Sequence, residues 1–184
     1  MKFNRIIYRI AQFWNVIRAR PAGMDLEWAL SKLTPEQKTL FTQLHQSEQA
    51  HSISVLRNLV QNNHSILENE NQALVVAALL HDVGKTLYPI AIWERVLIVV
   101  SKALIPEQVK QWGRGQPAGW RRAFVVAEQH PEWGAQLAAQ AGASALTVAL
   151  IREHQNHCPQ ESVDRNGNGF SDLLFRLQAA DREN

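Results

Sequence analysis

The stretch "ENQALVVAALLHDVGK" (residues 70–85) decides the fold class of this chain. Its apolar residues do not alternate with polar ones as in a half-buried strand, and they are not followed by a hairpin turn. The stretch therefore predicts a buried helix that ends in a turn at Gly84. Immediately before that turn lie His81 and Asp82, whose imidazole and carboxylate groups are typical ligands of transition metals.

The segment "TPEQKTLFTQLHQSEQAHSISVLRNLV" (34–60) predicts helix on the N-terminal side. Thr34 is the expected N-cap, Pro35 the first helical residue, and Gln37 completes a variant of the capping box. The apolar positions continue along the segment, and we expect a break in the helix near His51.

Three more helices are predicted on the C-terminal side, in "HPEWGAQLAAQAG" (130–142), "ASALTVALIREHQNH" (143–157) and "SDLLFRLQAADREN" (171–184). The first is expected to begin at the His130–Pro131 pair and to end at Gly142 as a C-cap. Because no segment favours a sheet, the chain is predicted to be all-α.

The stretch "IAIWERVLIVVSKALI" (90–105) is too often interrupted by polar residues to cross a membrane. Glu94 and Arg95 lie one heptad before Ser101 and Lys102, so the four residues form one narrow polar stripe on a helix. This pattern predicts a helix that is buried on most sides.

The composition indicates a domain of residues 34–184, preceded by an amphipathic helical arm of residues 1–33. Within the arm, the basic apolar pattern of residues 1–20 favours a helix packed on its own domain over contact with a membrane surface. A net charge of +2 does not indicate nucleic-acid binding. The lone cysteine, Cys158, excludes a disulfide framework, fits a cytoplasmic protein and is expected to have no catalytic role.

Histidine and aspartate residues lie near predicted helix ends or breaks along the chain. They are His51, His81, Asp82, His130 and His154, while Asp181 lies on the last helix. Helix ends can direct short side chains from several directions to one point, so these residues are candidate metal ligands. Asp82 is of special interest because a carboxylate can bridge two cations.

The same residues carry a resemblance to the HD-domain superfamily of metal-dependent phosphohydrolases. "LLHDVGK" (79–85) resembles its His-Asp signature and "HSISVLRNL" (51–59) its first-histidine helix. "HPEWGAQLA" (130–138), "LIREHQ" (150–155) and "LQAADREN" (177–184) resemble the later motifs. The resemblance implies a helical bundle around a central binuclear site.

On this resemblance, His51, His81, Asp82 and Asp181 hold one divalent ion, of iron, manganese, magnesium or a similar metal. Asp82 bridges to a second ion that is held also by His130 and His154. The implied reaction is hydrolysis of a phosphoester by a metal-activated hydroxide, with Asp82 and Lys85 in the catalytic machinery and Lys85 beside the substrate phosphate.

The expected partner is a phosphorylated small molecule of nucleotide or cyclic-dinucleotide type. His154 is followed by Gln155 where some cyclic-dinucleotide enzymes have a second histidine, so the second ion is expected to have an open position. A single histidine here also fits the family's di-iron oxygenases, which remain an alternative together with a non-catalytic metal-binding sensory module.

A basic cluster flanks "GRGQPAGWR" (113–121), between the second and third ligand motifs. We interpret its charges chiefly as a solvated surface. If the segment covers the site instead, Arg121 and Arg122 are the expected substrate-binding residues, because guanidinium groups fit phosphate oxygens.

Overall fold

The computed structural model describes residues 20–62, 71–156 and 169–183, and every regular element within these ranges is helical. The α-helices are α1 (Gly23–Leu30), α2 (Pro35–Thr42), α3 (Gln46–Asn62), α4 (Gln72–Leu80), α5 (Ile92–Leu104), α6 (Pro106–Trp112), α7 (Arg122–Gln140), α8 (Ala145–Glu153) and α9 (Phe170–Arg182). Short 3-10 helices lie at Val83–Leu87 and Gly119–Arg121. The predicted all-α class is confirmed.

Most of the helices share one hydrophobic cluster, which we call the main core. It takes buried residues from α1 to α4, from the second half of α7, and from α8 and α9. Its centre is α4, where all residues from Leu74 to Leu80 are buried, as predicted for this apolar stretch. Around α4 pack α3 and α8, and α9 contacts all three helices. Since α1 contributes Ala29 to the same core, residues 23–30 pack on the bundle.

Capping interactions in the sequence determine several helix ends. The Thr34 side chain accepts a hydrogen bond from the Gln37 N–H, and the Gln37 side chain accepts one from the Thr34 N–H, which confirms the capping box. Gly142 has a φ of 73°, and the N–H of Ala143 donates to the Ala138 carbonyl beyond the end of α7. Glycine adopts this left-handed backbone without strain, so the predicted stop at Gly142 is also confirmed.

The expected break near His51 is wrong. The chain leaves the helical path earlier, between α2 and α3, and His51 lies in the second turn of the continuous α3. The turn is stabilised by Gln49, whose side-chain amide donates to the Leu44 carbonyl at 3.1 Å. Because this contact joins Gln49 to the turn that precedes α3, the sequence around His51 does not reveal where the helix is interrupted.

The expected helix start at His130–Pro131 is also wrong, because α7 runs through both residues from Arg122 to Gln140. An internal proline removes a backbone donor and costs about 3 kcal/mol in a helix. The cost is offset by packing on both sides of Pro131, since Ala123 and Phe124 are buried before it and Ala135 and Ala138 after it.

A second, smaller cluster joins α5, α6 and the first half of α7, and we call it the satellite core. Its buried residues are Ile98, Val109, Ala123, Phe124 and Ala127. The prediction that α5 is buried on most sides is wrong. The polar residues Glu94 and Ser101 face inward, whereas Trp93 and Leu104 are 67% and 64% exposed.

The inverted orientation of α5 has an electrostatic cause. The buried Glu94 carboxylate accepts a hydrogen bond from the Ala91 N–H at 2.7 Å and from an Arg122 guanidinium nitrogen at 2.9 Å. These contacts offset the cost of removing the carboxylate from water. The charge therefore holds the N-terminal turn of α5 against the start of α7.

Two predictions lie outside the described residues. They are the helix within residues 1–19 and the role of Cys158. In the part of the chain that is described, no helix has both the length and the apolar character needed to cross a bilayer. The boundary between residues 33 and 34 stays a prediction.

Candidate metal centre

The His-Asp pair lies at the end of α4, where the main core places it. His81 is the C-cap of α4, and Asp82 precedes the 3-10 helix Val83–Leu87. The helix thus ends at Leu80, four residues before the predicted turn at Gly84. Both side chains are almost completely buried.

Gly84 has a packing role instead of a turn role. A Cβ atom at this position would lie 2.0 Å from the His130 carbonyl oxygen and 2.7 Å from the Gly134 nitrogen. No side chain fits there, so the 3-10 helix and α7 touch backbone to backbone. This close approach brings His130 to the His81–Asp82 pair.

The first candidate ligand group contains His51 from α3, His81 and Asp181 from α9. Their donor atoms all lie within 4.8 Å of one another. The Asp181 Oδ1 atom lies 2.9 Å from His51 Nε2 and 3.7 Å from His81 Nε2. The group is partly open to solvent, because the side chains of His51 and Asp181 are 18% and 33% exposed.

The second group contains Asp82, His130 from α7 and His154 from the end of α8, and all three are buried. Asp82 lies between the two groups: its Oδ1 atom is 3.3 Å from His130 Nε2, and its Oδ2 atom is 3.7 Å from His81 Nε2. The four imidazole rings form a continuous row, with centroids 5.1 to 5.4 Å apart. The structure thus brings all six predicted ligands together.

The orientation of the buried imidazoles fits metal binding. The Nδ1 atoms of His81, His130 and His154 lie 3.0, 3.0 and 2.7 Å from the backbone carbonyl oxygens of Ala78, Val126 and Ile151. A carbonyl only accepts, so Nδ1 carries the proton and Nε2 keeps its lone pair. Anchoring one ring nitrogen in this way is the usual support of a metal-bound histidine.

His81 provides the sharpest test of whether these residues fit a metal. Its Nε2 atom is buried and has no hydrogen-bond partner. A buried unpaired ring nitrogen is costly unless another group satisfies it. A cation among His51, His81 and Asp181 would do so, and four imidazoles with two carboxylates suit iron, manganese or zinc.

Electrostatics keep the group in the protonation states that metals need. Burial lowers the pKa of His130, and burial together with the charges of His81 and His130 lowers the pKa of His154 to about 3. Burial alone would raise the pKa of Asp82, but Lys85, His81 and His130 hold it well below its ordinary value. The lowered pKa values favour the neutral imidazole at His130 and His154 and the charged carboxylate at Asp82.

Asp181 behaves in the same way. Burial opposes its ionisation, yet the hydrogen bond from His51 and the nearby His81 lower its pKa to about 2. The outer carboxylate is thus also available as an anionic ligand.

A cavity of about 200 Å3 opens beside His130, between the main core and α5. Lys85 lines it, and its Nζ atom lies 2.6 Å from Asp82 Oδ2. Lys85 is therefore placed between the candidate metal centre and the space that a ligand could enter.

Arg121 and Arg122 do not line this cavity. The Arg122 guanidinium is paired with Glu94, with nitrogen–oxygen distances of 2.9 and 3.0 Å. The Arg121 guanidinium carbon lies 5.1 Å from the centre of the Trp120 ring. Neither position supports the prediction that these residues bind substrate.

Three polar residues that line the cavity are not among the site residues predicted from the sequence, namely Arg95, Lys102 and Gln155. Arg95 and Lys102 belong to the polar stripe of α5, which in the sequence indicates only that polar residues interrupt an apolar helix. The sequence feature that could identify them is a polar stripe on an otherwise apolar helix. Gln155 Nε2 lies 3.3 Å from His130 Nε2, so its amide contacts the second ligand group.

Residues 49–183 match the family model described as "HD domain". The matched range contains all six candidate ligands and well over half of the chain. No curated protein and no solved structure matches the chain significantly.

Proposed function

The chain belongs to the HD-domain family, and from that premise we propose that it hydrolyses a phosphoester of nucleotide or cyclic-dinucleotide type with the help of two divalent metal ions. One observation carries the proposal. The buried Asp82 carboxylate has one oxygen near His130 and the other near His81, so it is placed to serve both ligand groups. A shared carboxylate is the expected link in a site that holds two metals.

The protein's own groups would hold the ions as follows. His51, His81 and Asp181 would bind one ion and His130 and His154 the other, with Asp82 between them. Bound there, divalent cations would polarise a phosphoryl group and make a water molecule more acidic. The anchored Nδ1–H groups fix the ring orientations, so little rearrangement is needed when the ions bind.

Lys85 would bind the substrate phosphoryl group. Its side chain is 25% exposed and lines the cavity, while its Nζ atom contacts Asp82. An ammonium donates hydrogen bonds to phosphate oxygens and compensates their charge. Lys85 would therefore orient the substrate toward the metal-binding carboxylate.

The attacking group in this proposal is water. Among the described residues that line the cavity there is no serine, threonine or cysteine, so none of these residues can act as a nucleophilic hydroxyl or thiol. His130 and His154 would act as ligands and not as general acids, because burial lowers their pKa values.

The test combines metal analysis with product release from a panel of phosphoesters, nucleotides and cyclic dinucleotides. Protein purified without a chelator should hold about two metal ions per chain. His130→Ala should lose about one of them and more than about a hundredfold of the activity, since even indirect supports of a metal cost 10- to 100-fold.

His45→Ala is the matched control. This histidine is exposed, outside both ligand groups, and bonded to Ser47, so the variant should keep its metal and its activity. The proposal is wrong if supplied manganese or iron is not retained. Bound iron with oxygen uptake and no phosphate release would instead support an oxygenase.

A further inference from the structure

The cavity of about 200 Å3 beside His130 is lined by several positively charged side chains. Lys85, Arg95 and Lys102 all line it, and none of the described residues that line it is acidic. Its other walls are mostly apolar, including Ile98 and Val99 of α5. Charges against apolar walls act more strongly than charges in open water, so the cavity favours an anion.

The three cations differ in their partners. Lys85 pairs with Asp82, and an Arg95 guanidinium nitrogen lies 2.6 Å from the Glu48 carboxylate. Lys102 forms no hydrogen bond or ion pair with any of the described residues, although Glu128 is close enough to influence it. Lys102 is therefore the cation of this cavity whose charge is least compensated.

Lys85 and Lys102 also repel each other. The pKa of Lys102 is lowered by burial and by Lys85, while Glu128 acts in the opposite direction. Part of this lowering is the repulsion between the two ammonium groups, which carry like charges. A ligand that carries negative charge at two points would relieve this repulsion.

We propose that this cavity is a second phosphate subsite, in which Lys102 binds a phosphate next to the phosphoryl group that faces Lys85. The inference rests on the proposed function and deepens it, because it names the substrate class as phosphoesters that carry a second phosphate beside the reacting one. At 200 Å3 the cavity is smaller than the 300 Å3 or more that encloses a whole drug-sized ligand, so it would hold the phosphate end of the substrate.

Arg95 would support the subsite from two turns earlier on α5, since it lies seven residues before Lys102 on the same helical stripe. Its pairing with Glu48 fixes the guanidinium on the cavity wall. Gln155 could donate an amide hydrogen bond at the boundary with the second ligand group, because its Nε2 atom lies beside His130. Lys102 nevertheless decides the preference, as the cation without a carboxylate partner.

The test is calorimetric titration of the metal-loaded protein with inorganic pyrophosphate and with orthophosphate. The wild-type chain should bind pyrophosphate at least about tenfold more tightly than orthophosphate. Lys102→Met should weaken pyrophosphate binding about tenfold and change orthophosphate binding less than about twofold. Metal content is measured in each sample after titration, since pyrophosphate binds metals.

Lys110→Met is the matched control. Lys110 lies on α6, is exposed and does not line this cavity, so its removal changes the net charge equally without touching the subsite. Binding of both probes should stay as in the wild type. Equal losses for both probes in Lys102→Met, or no loss at all, would overturn the subsite.

Failure of the subsite and failure of the proposed function give different experimental outcomes. Hydrolysis of phosphoesters with an unchanged pyrophosphate preference in Lys102→Met leaves the hydrolase standing and removes the subsite. A pyrophosphate preference that depends on Lys102, without hydrolysis of any phosphoester, removes the hydrolase and leaves an anion-binding site.

Discussion

The main core and the satellite core contain the same residue types, but the helices of the main core are buried more completely. In the main core, α4 is buried on every side, and its end carries the His81–Asp82 pair. In the satellite core, α5 buries Glu94 and leaves Trp93 and Leu104 in solvent. The candidate ligands therefore rest mainly on the tightly packed region, and one wall of the cavity on the looser one.

This difference places the candidate metal ligands and the wall that would contact substrate in two differently packed regions of a small fold. Metal ligands must be held within tenths of an ångström, so they benefit from the dense packing of the main core. A wall that contacts substrate can tolerate a less complete core. We expect the main core to determine stability and metal binding, and α5 to determine which anion enters.

The largest expected effect compares one buried aliphatic residue from each core. Leu56→Ala in the main core should cost about 4 kcal/mol of unfolding free energy, because Leu56 is fully buried. Ile98→Ala in the satellite core should cost about 2 kcal/mol, since its surroundings are partly open and can relax. Urea unfolding of the metal-free variants measures both. Equal losses would contradict the distinction between the cores.

A substitution that disrupts the contact between Gly84 and α7 should lower the unfolding free energy by a slightly smaller amount. Gly84→Ala places a methyl group 2.0 Å from the His130 carbonyl oxygen, which backbone movement must relieve at a cost of about 3 kcal/mol. Because the movement displaces His130, the variant should also bind metal more weakly. Urea unfolding and metal analysis measure the two effects.

Gly23→Ala is the control for that variant. A Cβ atom at Gly23 meets nothing within 4 Å, and the residue lies in the first turn of α1. The substitution should be neutral or stabilise by a few tenths of a kcal/mol. A Gly84→Ala protein as stable as Gly23→Ala would mean that the approach of the 3-10 helix to α7 is not tight in solution.

Acid should destabilise the metal-free protein through the ligand groups. In the folded chain the pKa of His154 is lowered to about 3, whereas an exposed histidine titrates near 6.5. The unfolded chain therefore binds more protons between these values, so the stability from His154 is full above pH 6.5 and is lost as pH falls toward 3.

The expected size of this effect follows from the 1.5 pH units between 6.5 and 5. At about 1.36 kcal/mol per unit, His154 alone should lower the unfolding free energy by about 2 kcal/mol at pH 5 relative to pH 8. Asp181, whose pKa is lowered to about 2, adds a further loss only below about pH 4. Urea titrations at several pH values measure the slope, and His154→Gln should flatten it. A stability that is constant from pH 8 to pH 5 contradicts the prediction.

The same contrast explains how much could be predicted from the sequence. The buried helix α4, the Thr34 capping box and the stop at Gly142 are local patterns, and each was recognised from a few neighbouring residues. The six ligands were assigned through the resemblance, and the structure places them in two groups around Asp82. The motifs carried this information because the family's ligands lie in short, ordered stretches.

The errors arose where tertiary packing overrides a local rule. A proline usually marks a helix start, but burial of the residues on both sides of Pro131 keeps α7 continuous through it. A glutamate on a helix usually faces solvent, but Glu94 pairs with Arg122, and this contact turns the polar stripe of α5 inward. The positions of Arg95 and Lys102 on the cavity wall follow from that rotation, so helical periodicity alone could not reveal them.

The smallest expected effect concerns the outer face of α5. Trp93 is 67% exposed, so Trp93→Ser should change the unfolding free energy by less than about 0.5 kcal/mol, as for other surface substitutions. Urea unfolding checks this, with Phe124→Ala as the buried aromatic of the same core, which should cost about 3 kcal/mol or more. If Trp93→Ser instead costs more than about 1 kcal/mol, this face is covered in solution and the satellite core is more complete than the described residues make it. A small change supports the looser core, in which the inward stripe of α5 is held mainly by Glu94 and Arg122.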